Sequence, residues 1–153
     1  MTAAAPTAGH VENLDVDECR LLLGLSAVGR IGFVTDGLPV VLPVNYRLLS
    51  DELGLWIILR TRAGSSVDGA PEHVAFEIDG IDYDRHQGWS VLARGVLHHL
   101  DHNEVELLNQ RFDPKPWPQQ DESSWLAIKP TLITGRRVRG DDWEWELSSD
   151  AYM

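Results

Sequence analysis

The segment Arg60-Thr61-Arg62-Ala63-Gly64-Ser65-Ser66 brings cationic, hydroxyl and small residues into one short stretch. Arg offers a planar, permanently charged donor that suits phosphate. Gly lets backbone N–H groups approach an anion, and Ser and Thr hydroxyls add donors to such a cradle. Taken alone, the residues fit either a phosphate cradle or a solvated loop. A second segment, Leu42-Pro43-Val44-Asn45, points to a flat ligand. Pro43 cannot donate to a strand ladder, so it marks an edge or an opening in a sheet. An unpaired edge presents backbone N–H and C=O groups to a heterocycle, while the Val44 and Tyr46 side chains go to the core. A third segment, Trp89-Ser90, offers an indole that can wall an aromatic ring.

Other chemistry finds little support. His98 and His99 are adjacent, so on a strand they face opposite sides and make a poor metal pair. The single cysteine, Cys19, reads as a small buried hydrophobe. Neither a Gly-x-Ser-x-Gly elbow nor a His-Glu-x-x-His helix is present. No catalytic residue and no metal ligand is therefore assigned.

The elements that would position these segments are mostly strands. A first helix opens at Asp15, with Glu18 completing a capping box, Leu14 and Cys19 at staple positions, and Gly24 as a left-handed stop. Arg30–Thr35 and Pro39–Leu49 read as strands joined by Asp36-Gly37, a strong hairpin signal. Along Pro39–Leu49, Val40, Leu42, Val44, Tyr46 and Leu48 share one face. Leu53–Thr61, Val74–Ile78 and Gly88–Leu100 follow as strands, with Gly95 marking a bend or a close backbone approach. Asp101 and Glu104 cap a second helix reaching about Gln110. Asp113–Gln120, with three prolines, is an irregular connection. Trp125–Ile128 and Leu132–Val138 read as two closing strands separated by Pro130.

Short strands, hairpin turns and two small helices predict a mainly β antiparallel barrel, and the lack of repeated βαβ spacing argues against a doubly wound sheet. One domain is expected over residues 14–140, with residues 1–13 a disordered leader and 141–153 an acidic tail carrying Trp143 and Trp145. The net charge of -11 argues against nucleic acid and anionic membranes as partners. One cysteine excludes a disulfide framework within the chain, which fits a reducing, cytoplasmic setting. No apolar run is long enough to span a bilayer as a helix.

In their order and spacing, several segments resemble the pyridoxamine 5′-phosphate oxidase-like, flavin-nucleotide-binding proteins. They are Gly29–Phe33, Pro39–Tyr46, Leu59-Arg60-Thr61 with Gly64-Ser65, Val74–Asp79, Gly88–Val91 with Arg94-Gly95, and Ile128–Arg137. The resemblance implies a six-stranded antiparallel split β-barrel, a homodimer, and FMN bound in two grooves between the subunits. It implies a phosphate cradle of Arg60, Thr61, Ser65 and Ser66. Leu42, Pro43, Val44 and Asn45 would border the flavin ring, and Trp89 and Ser90 would lie beside the ribityl or phosphate end. Trp117 or Trp125 of the partner would close the groove. The chain departs from the family at Ser66, where many relatives carry Lys. Losing that cation is worth about tenfold to a hundredfold in affinity, so F420, and more remotely haem, are alternatives to FMN. The function expected is a flavin-dependent oxidoreductase acting on a small molecule. The alternatives are a non-catalytic flavin-binding or sensing protein, and a cofactor-free barrel used for protein contacts. No second basic cluster is set aside for a pyridoxine phosphate substrate.

Overall fold

The computed structural model describes residues 10–51, 54–110 and 123–139. Its elements are β1 (His10–Leu14), α1 (Val16–Leu25), β2 (Val28–Thr35), β3 (Leu38–Asp51), β4 (Gly54–Arg62), β5 (His73–Asp82), β6 (Gln87–His99), α2 (His102–Asn109) and β7 (Ser123–Arg139). Strands β2 to β7 close into an antiparallel ring in the order β7-β4-β3-β2-β5-β6, with β6 returning to β7. This is the expected six-stranded barrel. Closure leaves most strands with a neighbour on both sides.

Alternation decides what fills the ring. Ile31, Tyr46, Ile57, Phe76, Val91 and Ile128 point inward and are fully or almost fully buried. Each such side chain contributes roughly 1.5–3 kcal/mol by leaving water. Val40, Leu42, Val44 and Leu48 pack against this core, while Val41 and Pro43 between them are exposed. The β2–β3 hairpin turns on Asp36 (φ 51°) and Gly37 (φ 75°), the two left-handed positions that a two-residue turn requires.

α1 packs against β7, β3 and β6. Asp15 accepts a hydrogen bond from the Glu18 N–H, and Glu18 accepts one from the Asp15 N–H. The staple residues Leu14 and Cys19 both lie against Gly135 of β7, where any Cβ would strike them. The Tyr46 hydroxyl donates to the Leu23 carbonyl at 2.6 Å and ties the helix to the barrel. Burial pushes that phenol up to about 12, against smaller lowering effects of Ser26 and Arg47. Cys19 is buried and free, and its thiol is raised by burial and by Asp15 and Glu18. A second, smaller core lies on the outer face of β4 and β7. There Ile58, Trp125 and Ala127 pack with Val105 and Leu108 of α2.

Three expectations change. Residues 10–13, placed in the leader, belong to β1, which pairs with β7 from His10–Arg139 to Leu14–Gly135. This strand is too polar to announce itself, and its partner supplies the pairing. Gly24 does not stop α1 in a left-handed turn; the helix runs to Leu25 and ends at Ser26 in extended conformation. The two closing strands are one, because Pro130 sits where neither β4 nor β1 pairs with β7 and no N–H is required on that edge. The register shift falls opposite, between Arg94 and Gly95, where a Cβ on Gly95 would collide with the Lys129 backbone. Trp125 lies within its own chain's outer core, whereas Trp117, the 113–120 connection, residues 1–9 and the tail lie outside the described residues. Among the described residues no helix is long and apolar enough to cross a membrane.

Candidate functional site

β3 changes partner midway. Residues 38–45 pair with β2, and residues 46–51 pair with β4. The last β3–β4 pair is Tyr46–Leu59, so Asn45 and Arg60 leave the ladder from neighbouring positions. Beyond that point the second edge of β3 over 38–44 carries no ladder among the described residues. The expected opening in the sheet is therefore present, with Pro43 on its outer face and Leu42 and Val44 turned toward the core.

Arg60 is paired in the β4–β7 ladder with Trp125 and projects outward with it. Its Nε donates to the Ser123 hydroxyl at 2.9 Å, and its guanidinium lies 5.6 Å from the Trp125 ring centroid. The guanidinium is thus held between the Ser123 hydroxyl and the indole face as a cation–π pair. Thr61, the next residue, points to the opposite side. Its hydroxyl lies 2.9 Å from that of Ser65.

The loop after β4 turns at Gly64 (φ 75°), a conformation that favours glycine. Its donors are already engaged with the chain itself. The Gly64 N–H donates to the Asp68 carboxylate at 2.7 Å, and the Asp68 N–H donates to Ser65 Oγ at 3.2 Å. The Ser65 N–H reaches the Arg62 carbonyl, and Gly69 N–H the Ser65 carbonyl. Ser66 is exposed. His99 Nε2 lies 3.1 Å from Asp68 Oδ1 and 3.0 Å from the Asp68 carbonyl oxygen. Both are acceptors, so Nε2 carries the proton. Burial alone would raise the Asp68 carboxyl, but hydrogen bonds from Gly64, Ser124 and His99 outweigh it and hold the group below its ordinary value. Asp68 is thus an anion seated in the loop.

A cavity of about 340 Å³ opens between β6, the start of α2 and the start of β7. Its wall includes Ser123 and Trp125, which hold Arg60, and His99 and Ser124, which hold Asp68. The cavity thus borders side chains that anchor Arg60 and side chains that anchor Asp68.

The structure brings Asn45, Arg60, Thr61 and Ser65 to this end of the barrel. It does not bring Trp89 and Ser90 there. They pair with Arg137 and Arg136 of β7, on the order of 40 Å of strand from Trp125 at about 3.3 Å per residue. Trp89 packs against Gly80, and Ser90 lies between Asp79 and Arg136 in the ladder. Sequence reasoning missed Asp68, His99, Ser123 and Ser124. The alternation at His98-His99 did hold a signal: His98 stacks edgewise near Trp56 at 6.2 Å while His99 turns to Asp68.

Comparison with known proteins bears on the family and the fold. The family described as pyridoxamine 5′-phosphate oxidase matches residues 15–137. The uncharacterized protein Rv0080 of Mycobacterium tuberculosis is 32% identical over 146 residues, covering 91% of this chain and 93% of its own. A solved structure of the FAD binding protein from Mycobacterium smegmatis is 33% identical and covers 84% of this chain and 98% of its own, with a TM-score of 0.71. A FAD-binding protein of Mesorhizobium loti is 21% identical and covers 86% of this chain and 98% of its own, with a TM-score of 0.66, a likeness of fold alone.

Proposed function

The chain belongs to the pyridoxamine 5′-phosphate oxidase family, and on that premise we propose that it is a flavin-nucleotide-binding oxidoreductase acting on a small molecule. The observation that carries this reading is Arg60, held by Ser123 and Trp125 beside the open edge of β3. A phosphate would meet Arg60 on the outer side of β4, and the Thr61, Ser65 and Ser66 hydroxyls stand at the loop beyond it, Thr61 on the opposite side of the strand. The backbone of Leu42–Asn45 would border a flat ring system. FMN is the expectation from the sequence; the 33% identical mycobacterial structure is of a FAD binding protein, which makes FAD a second flavin to test.

Apart from the Tyr46 phenol, which is spent on the Leu23 carbonyl, no polar or charged side chain is buried among the described residues. The protein's share is therefore binding, orientation and exclusion of water, while the flavin, when bound, supplies hydride or electron transfer.

The proposal includes a homodimer. Arg60 and Trp89 stand at opposite ends of β7, so a groove that uses both is formed between two chains. Exposed Val34, Leu38 and Val41 on the β2–β3 hairpin are apolar surface suited to such burial.

An absorbance spectrum of the purified protein, then titration with FMN, FAD, F420 and haem, tests the reading. A flavin spectrum, or saturable flavin binding with one site per chain, is the expected result. Tight binding of F420 or haem with no flavin binding would replace the cofactor, and a colourless protein that binds none of the four would overturn the proposal.

A further inference from the structure

The loop that follows β4 has the shape of an anion cradle, and its own chain provides the anion. The Gly64 N–H, the donor that a left-handed glycine turns toward a ligand, is engaged by the Asp68 carboxylate at 2.7 Å. The Thr61 and Ser65 hydroxyls are engaged with each other. Asp68 is itself clamped from two further directions, by His99 on β6 and by the Ser124 side chain on β7. Its side chain is 19% exposed, so water screens it only in part. No cation stands at position 66 to balance it. Two of its anchors, His99 and Ser124, also line the cavity at the start of β7.

We propose that Asp68 is a specificity-determining residue of the flavin site, which excludes a terminal phosphate monoester and admits the diphosphate of a dinucleotide. The inference rests on the flavin reading above. A phosphate monoester carries close to two negative charges near neutral pH and three acceptor oxygens. A phosphate inside a diphosphate bridge carries one charge and two free oxygens. With Asp68 a fixed anion seated on the Gly64 donor, the cradle suits the single charge better than the dianion. The dianion meets repulsion from the carboxylate and finds the Gly64 donor occupied. FAD is favoured over FMN, although both carry the same ring.

The test is competitive titration of the flavin-stripped, full-length protein with FAD, FMN and riboflavin, followed by flavin fluorescence. The wild type is expected to prefer FAD to FMN. Asp68→Asn keeps the acceptor for Gly64 and removes the charge. It should tighten FMN about tenfold, the scale of one charged contact, and leave FAD and riboflavin within about threefold. Ser66→Lys places a cation on an exposed position and should shift the same ratio in the same direction, which decides the matter should Asp68→Asn fold poorly. An unchanged FMN-to-FAD ratio in both variants, with riboflavin still bound, overturns the role of Asp68 and leaves the flavin reading intact. A wild type that binds none of the three flavins overturns the flavin reading and this inference with it.

Discussion

At one end of β7, Gly135 lies under Leu14 and Cys19, with β1 along its edge and α1 across it. At the other, Ser123, Ser124 and Trp125 face Arg60, Asp68 and a cavity. The first end is filled by a staple with no room for a methyl group. The second is lined with hydroxyls, an indole edge and opposed charges. One strand thus runs from a region specified by volume to a region specified by polarity. Changes at the first should register in stability, and changes at the second in binding.

The largest expected effect is at the packed end. Gly135→Val should destabilise the chain by about 3 kcal/mol, since overpacking against a capped helix cannot relax cheaply. Thermal or urea unfolding measures it. A variant as stable as the wild type would show that α1 is free to move and would erase the contrast. At the polar end, Arg60→Ala should weaken flavin about tenfold to a hundredfold, while lowering stability by less than about 1 kcal/mol. Arg60→Lys should restore little, because an ammonium lacks the Nε donor to Ser123 and the planar fork of the guanidinium. Equal loss of folding and binding in the Ala variant would mean that the two ends are not separable.

Tyr46 tests the tie between α1 and the barrel. Tyr46→Phe should cost about 1 kcal/mol through the stranded Leu23 carbonyl. The pH dependence follows from linkage. The folded phenol is raised from 10.0 to about 12, so the native state holds its proton longer than the unfolded chain. Its contribution is complete below pH 10 and is lost as pH rises from there toward 12, a slope that the Phe variant should lack. Asp68 has the opposite sign. Its folded value is depressed below 3.8, so its contribution is present above that pH and falls away as acid drives the pH through the folded value. Asp68→Asn should flatten that acid limb. The smallest effect is expected for Arg137→Ala. It removes an ion pair with Glu18 at 3.3 Å between partly exposed groups, worth less than about 0.5 kcal/mol.

What could be read in the sequence follows the range of the forces involved. Both capping boxes, the Asp36-Gly37 turn and the inward face of β3 are set by neighbours in the chain, and all are present in the structure. The close approach at Gly95 was also legible, because only glycine tolerates a facing backbone. β1 was not, since His10–Leu14 has no apolar alternation and draws its order from β7. The union of the last two strands was missed because Pro130 is a breaker only where an N–H is needed, and register alone reveals that it is not. In the site, the Arg60–Ser65 stretch stood out by residue type. Asp68, His99 and Ser124 did not, because their meeting joins a loop to two strands far apart in sequence.

The change of partner along β3 has a dynamic consequence. In an antiparallel strand successive amides point to opposite edges. Over residues 38–44 only one edge is laddered among the described residues, so amide protons there should divide into two populations in hydrogen–deuterium exchange. Those turned toward β2 should be slow, and their neighbours fast, with a period of two that stops at Tyr46. A molecule seated along the open edge would slow only the fast set. The footprint of whatever binds could then be read residue by residue as the disappearance of an alternating rhythm.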